Sequence, residues 1–171
     1  MNKLRLLLAS FVLIAMAACQ PQGETCPEVD VEKELSDIRS VLEQYELARE
    51  SEDFATVEQI WASDDDIVLF GTEGDEQMVG IDEIGKAMSR QFDELENTLI
   101  NISEQKIKLS KDGKIAWFSE VLDYNFIYEG ENMSFEGIRF TGVMEKIDGH
   151  WKLVQGHLSV PYEAELEEEA M

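Results

Sequence analysis

Cysteine and histidine are nearly missing from this chain, with two of each in 171 residues. A zinc cluster draws three or four nitrogen and sulfur ligands to one site, so none is expected here. No Gly-rich phosphate loop and no G-x-S-x-G elbow occurs, which removes two common nucleotide-binding and hydrolase signatures. Asp64-Asp65-Asp66 lacks the alternating spacing of a calcium loop and reads as a turn that ends a helix. No metal and no cofactor is therefore expected. Basic residues are scarce as well, 14 against 37 acidic, for a formal net charge of −23. Such a surface repels nucleic acid and anionic headgroups. Nor does any apolar run reach the ~20 residues that a membrane-spanning helix needs.

The longest apolar run is Leu6 to Ala18, interrupted only by Ser10 and preceded by Lys3 and Arg5. A short positive region followed by such a run is the pattern of a secretory signal. It closes with Met16-Ala17-Ala18-Cys19, which resembles the bacterial lipobox. The resemblance implies cleavage before Cys19 and acylation of its thiol. An ordinary signal peptide with an A-x-A-like cut is the alternative. Several acyl chains at ~0.8 kcal/mol per buried methylene would hold the protein on a membrane. Gln20 stands where an Asp often marks inner-membrane retention in such lipoproteins, which favours the outer membrane and the periplasmic side. Loss of Lys3 and Arg5 with the signal takes the formal charge to −25. Residues 1–18 are then the signal and 19–30 the lipidated Cys with its tether. Residues 31–161 form one domain and 162–171 an acidic tail. With Cys19 acylated, Cys26 is the one remaining thiol, so no intrachain disulfide forms.

Periodicity places the elements. Val31, Leu35, Ile38, Leu42 and Tyr45 lie on one face of a helix reaching Arg49. Asp53 can cap a second helix carrying Phe54, Val57, Ile60 and Trp61. Ile67 to Phe70 and Gln77 to Val79 read as short strands, and Gly80 leads into a third helix with Ile84, Met88 and Phe92. The period then changes to two. Leu99–Leu109 (with a bulge near Gln105), Ile115–Tyr128, Asn132–Lys146 and Trp151–Val160 read as antiparallel strands. Asp148-Gly149 is a strong hairpin turn. The expectation is an α+β domain with helices covering one face of a curved sheet.

This order resembles the nuclear transport factor 2-like (SnoaL-like) superfamily, a cone with a pocket between helices and concave sheet. The stretch Trp151 to Ser159, spaced W-x-x-V-x-x-H-x-S, is similar to the last strand of the calcium/calmodulin-dependent kinase association domain. The resemblance implies three N-terminal helices packed on a curved, mainly antiparallel sheet.

Candidate site residues follow from strand faces. Glu120 is the lone carboxylate on the face shared by Phe118, Leu122, Tyr124 and Phe126, and burying it is costly without a partner. Arg139, grouped with Gly137, Thr141 and Val143, is the expected partner; the two either line a pocket or merely pin the sheet. The kinase association domain resemblance implies an anion-accepting arginine at Arg139, but Glu120 and Leu158 stand at two of its other arginine positions. Tyr45 lies eight residues before Asp53, a spacing similar to that of the oxyanion tyrosine of ketosteroid isomerase; a core aromatic is the alternative. The isomerase base would fall near Leu69 or Phe70 and its second acid near Thr141, so that chemistry is argued against. His157 and Trp61 are second-rank pocket candidates. His157, with Trp151, Leu153, Gln155 and Ser159, is assigned to an outer sheet face suited to a homodimer. The expected function is an anchored small-molecule-binding module. A small lyase, isomerase or cyclase-like enzyme with Glu120 as base, and an envelope protein-interaction module, are the alternatives.

Overall fold

The computed structural model describes residues 29–72 and 76–161. The signal, Cys19, most of the tether and the acidic tail lie outside the described residues. Among the described residues the order is α1 (Val31–Glu50), α2 (Phe54–Ile60), β1 (Val68–Phe70), β2 (Gln77–Val79), α3 (Ile81–Glu94), β3 (Leu95–Leu109), β4 (Ile115–Tyr128), β5 (Glu131–Ile147) and β6 (His150–Ser159). No described helix is long and apolar enough to cross a membrane.

The six strands form one sheet in the order β2-β1-β6-β5-β4-β3. Only the β1–β6 pairing is parallel among them. The helices begin where local chemistry allows. The Asp30 side chain accepts from the Lys33 backbone N–H at 3.1 Å, and Asp53 accepts from that of Thr56 at 3.2 Å, each satisfying an amide with no partner inside its helix. Gly80, at φ 80°, supplies the turn into α3 without a Cβ clash. In a folded protein most of a helix's stability comes from tertiary packing of its apolar face rather than from propensity. Packing therefore holds α1, through fully buried Ile38, Leu42 and Tyr45. Its first turns are also tied to the sheet: Glu34 accepts from Lys146 Nζ at 2.5 Å and from the Trp151 indole N–H at 2.8 Å.

β4 alternates as its sequence requires, with Ala116, Phe118, Glu120, Leu122 and Tyr124 buried beneath the helices. The neighbouring strands do not keep one phase. Opposite Asp123, β5 spends two residues, Glu136 and Gly137, between the Tyr124–Phe135 and Leu122–Ile138 pairs. Gly137 takes φ 71°, and its N–H donates to Asp123 Oδ1 at 3.0 Å. β6 inserts Val154 between the partners of Val143 and Met144. β3 bulges at Glu104-Gln105, opposite Glu120. Each extra residue bends its strand and flips every later side chain to the other face.

Two sequence expectations are corrected by these bulges. Phe135 faces inward, but past Gly137 the inward set becomes Ile138, Phe140 and Met144, so Arg139 and Thr141 are exposed on the outer face. Likewise Trp151 and Leu153 are buried inward while His157 is exposed. The apolar outer patch of Trp151, Leu153 and His157 therefore does not exist as expected.

Candidate functional site

The stripe on α1 continues past Tyr45. Glu46, one turn past Leu42, and Arg49, one turn past Tyr45, enter the core, 2% and 4% exposed. Arg49 Nη1 donates to Glu46 Oε2 at 2.8 Å, and Arg49 Nη2 donates to the Tyr124 hydroxyl at 3.4 Å. The guanidinium carbon stands 5.4 Å from the Tyr45 ring centroid and 5.2 Å from that of Tyr124, within cation–π range. Tyr45 also stacks on Phe140 and meets the Trp61 edge. Beside this group the β3 bulge aims Gln105 at Glu120, and Gln105 Nε2 donates to Glu120 Oε2 at 2.9 Å. The Tyr45 hydroxyl, Glu46 Oε1, Arg49 Nε and Glu120 Oε1 are buried without a hydrogen-bond partner among the described residues. Four such atoms in one polar cluster are unusual, because each costs free energy when dry.

The electrostatics follow from burial. Burial pushes the Glu120 carboxyl up to about 7; Gln105 and Arg49 pull against that rise, and Glu46 adds to it. Burial likewise pushes Tyr45 up to about 12 and raises Tyr124 and Glu46. Burial works to lower Arg49, yet Glu46 and the two tyrosines raise it overall, so it stays a cation.

Arg49 and Tyr124 form the inner end of an open cavity of about 350 Å³. Its apolar walls include Met78 of β2, Met88 of α3, Phe126 of β4, Phe135 of β5 and Leu158 of β6. Gln91, whose buried Oε1 has no partner among the described residues, adds a polar group to the wall. Glu76, Arg90 and Glu94 also line it. A cavity with apolar walls and a few convergent polar groups is the usual form of a small-ligand site.

Among the sequence-derived site residues, Tyr124 lines this cavity. Glu120, Tyr45 and Trp61 are buried in the core and are not among its lining residues. Arg139 and Thr141 are on the opposite face of the sheet, where Arg139 Nη2 donates to the Val160 carbonyl at 3.0 Å. The expected Glu120–Arg139 pair is thus corrected: Val121, not Glu120, stands across from Arg139. His157, on that outer face, meets the Phe70 ring at 5.8 Å. Leu69 lines the cavity where the isomerase resemblance would need a base, and it accepts no proton. The sequence reading missed Glu46, Arg49, Gln91 and the role of Gln105. Arg49 was reachable, since it falls four residues after Tyr45 on the same helical face.

Residues 38–163 match the family model of the SnoaL-like domain. The chain belongs to the SnoaL-like domain family. Solved structures agree on the nuclear transport factor 2-like fold. A nuclear transport factor 2-like superfamily protein from Salmonella enterica serovar Typhimurium shares 14% identity at a TM-score of 0.71, covering 82% of this chain and 99% of that one. A protein from Streptomyces avermitilis, named a candidate dehydratase of the same family, shares 14% at 0.69, covering 77% and 99%. A candidate calcium/calmodulin-dependent kinase II association domain from Xanthomonas campestris shares 20% at 0.64, covering 74% and 87%. At these identities the likeness is one of fold. No curated protein matches the sequence.

Proposed function

We propose that this SnoaL-like domain is a small-molecule-binding module, held on the periplasmic side of the bacterial envelope, in the outer membrane, by lipid at Cys19. The observation that carries the binding role is the open cavity whose apolar walls lead to Arg49 and Tyr124. Because Glu46 already neutralises Arg49 at 2.8 Å, the site favours an apolar or aromatic body ending in a hydrogen-bonding group over a strong anion. Native mass spectrometry of protein purified from its own membrane tests this. A small-molecule adduct is expected, and Ala87→Trp, which fills the cavity wall from α3, is expected to lose it while staying folded. Protein that carries no adduct, and takes up none from a whole-cell lipid and metabolite extract, would overturn the reading in favour of an envelope protein-interaction module.

One observation favours a second reading, a small lyase, isomerase or cyclase-like enzyme. A carboxyl held near 7 with a free oxygen is suited to moving protons at neutral pH. The Streptomyces avermitilis neighbour, named a candidate dehydratase, is in keeping with this. Against it, Glu120 is not among the residues lining the cavity. Turnover of a bound molecule that survives in Glu120→Gln would remove this reading.

A further inference from the structure

Four of the chain's 14 basic residues fall within nine positions: Lys106 and Lys108 near the end of β3, Lys111 and Lys114 in the turn after it. All four are exposed, and none forms an ion pair among the described residues. Asp112, the acid between them, is engaged inside the turn, where it accepts from the Ser110 hydroxyl at 2.6 Å. The apolar part of this end is also uncovered. Trp117 is 47% exposed and Ile115 42%. Trp117 stands across from Lys108 on the outer face, so indole and ammonium share one surface. Exposed tryptophan beside lysine is the composition that settles at a membrane–water boundary.

The same end is where the chain leaves toward Cys19. The Val29 side chain packs on Gly113, 2.7 Å from where a Cβ would stand. The Lys146 N–H donates to the Lys114 carbonyl at 2.8 Å, which brings the β5–β6 end beside the lysine turn. Val29 is ten positions after Cys19, a reach of at most ~35 Å whatever the conformation between them. The ligand cavity is at the other end of the sheet. Phe126, in its wall, is nine residues beyond Trp117 on β4, ~30 Å away at the usual rise of a strand.

We propose that the Lys106–Trp117 end of the sheet docks on a phospholipid surface bearing anionic headgroups, so that the cavity opens away from the bilayer. The proposal rests on the anchored reading above. Taken alone, the formal charge of −25 left once the signal is removed argues for repulsion from such a surface. Screening decides the contest. At physiological ionic strength charges act over ~8 Å, far less than the length of the sheet, so the membrane feels the four lysines together with the exposed Glu145 and Asp148 of the same end, and little of the acidic residues beyond it. Each lysine near an anionic surface strengthens attachment about fivefold. Because the anchor holds the domain close, even a modest gain favours one orientation.

The test uses the full-length, natively acylated protein in phosphatidylcholine vesicles with or without phosphatidylglycerol, the acyl chains carrying bromine. Trp61 and Trp151 are buried, so quenching by the lipid reports on Trp117. Strong quenching is expected in anionic vesicles at physiological salt. It is expected to fall severalfold in neutral vesicles, and in a variant carrying Lys106→Glu, Lys108→Glu, Lys111→Glu and Lys114→Glu. Trp117→Phe removes the signal, while emission from the two buried tryptophans shows that the fold persists. Equal quenching with and without phosphatidylglycerol, or quenching that survives the charge reversals, overturns the proposal. So does a Trp117 shielded from aqueous quencher but untouched by lipid, which shows a second copy covering the face. If the protein does not float with vesicles of either kind, the anchored reading has failed instead. Adding the protein to excess anionic vesicles then still decides whether the lysine end binds.

Discussion

Glu120 is buried in the core with one oxygen satisfied and one not. Its pKa of about 7 in the folded chain is above the ordinary carboxylate value of 4.5. The sign follows: between those two values the folded state holds a proton that the unfolded state has released. Stability is therefore full below the unfolded value and lost as pH rises toward 7, by up to ~3 kcal/mol. Glu120→Gln removes this dependence and keeps an oxygen for Gln105. Urea midpoints at pH 5 and 8 are expected to show the parent losing more stability than the variant; parallel losses would remove the raised carboxyl. Arg49 calls for a different experiment. Arg49→Met leaves Glu46 buried and unpaired, a cost of ~3–5 kcal/mol. Adding Glu46→Leu is expected to recover most of it. A double variant as unstable as the sum of the singles would show that the two side chains do not act as a pair.

Within the elements, the bulges and the close strand approaches do most to shape the site. At Gly142, in the middle of β5, an added Cβ would stand 2.5 Å from the Gln155 carbonyl and 2.6 Å from the Phe118 ring. Neither neighbour has room to retreat, since one is backbone and the other is packed on Phe140 at 5.0 Å. Gly142→Ala is expected to cost ~1–3 kcal/mol as an overpacked core substitution, read as a fall in thermal midpoint. An unchanged midpoint would mean that β5 and β6 can separate without loss. The β3 bulge at Glu104-Gln105 has the complementary effect. It brings a neutral donor to Glu120 where strict alternation would not, and so provides a partner for a carboxylate among aromatics.

For the molecule as a whole, charge and attachment matter most. Cys19→Ser is expected to abolish lipid labelling and to leave the protein outside the detergent phase; normal partitioning of that variant would end the lipobox reading. The outer face still invites a second copy, now on different residues. Phe70, 40% exposed, lies against His157, with Thr141 on the adjoining strand. We propose a homodimer through this middle region, leaving the lysine end free. Light scattering at micromolar protein is expected to give twice the chain mass. Moderate salt is needed, because two subunits of this charge repel one another in dilute buffer. A monomer mass under those conditions would count against the dimer.

Helical and strand periods were legible without a structure. The stripe from Ile38 to Tyr45, the Asp53 cap, the alternation of Phe118, Glu120, Leu122 and Tyr124, and the bulge near Gln105 all follow from local chemistry. These were enough to indicate a helix-covered sheet of the nuclear transport factor 2-like kind. What the sequence by itself could not determine was phase beyond a bulge. An inserted residue at Glu136-Gly137 or at Val154 leaves the composition of a strand unchanged but reverses which side chains face inward. That reversal carried Arg139 and Thr141 out of the interior and Trp151 and Leu153 into it. The partner of Arg49 and the tyrosines around it come from elements far apart in the chain or from the neighbouring helical turn. So does the separation of the lysine end from the cavity. Only tertiary packing decided these features, because local propensity acts over a few residues, whereas burial and screening act between whichever groups the fold brings together.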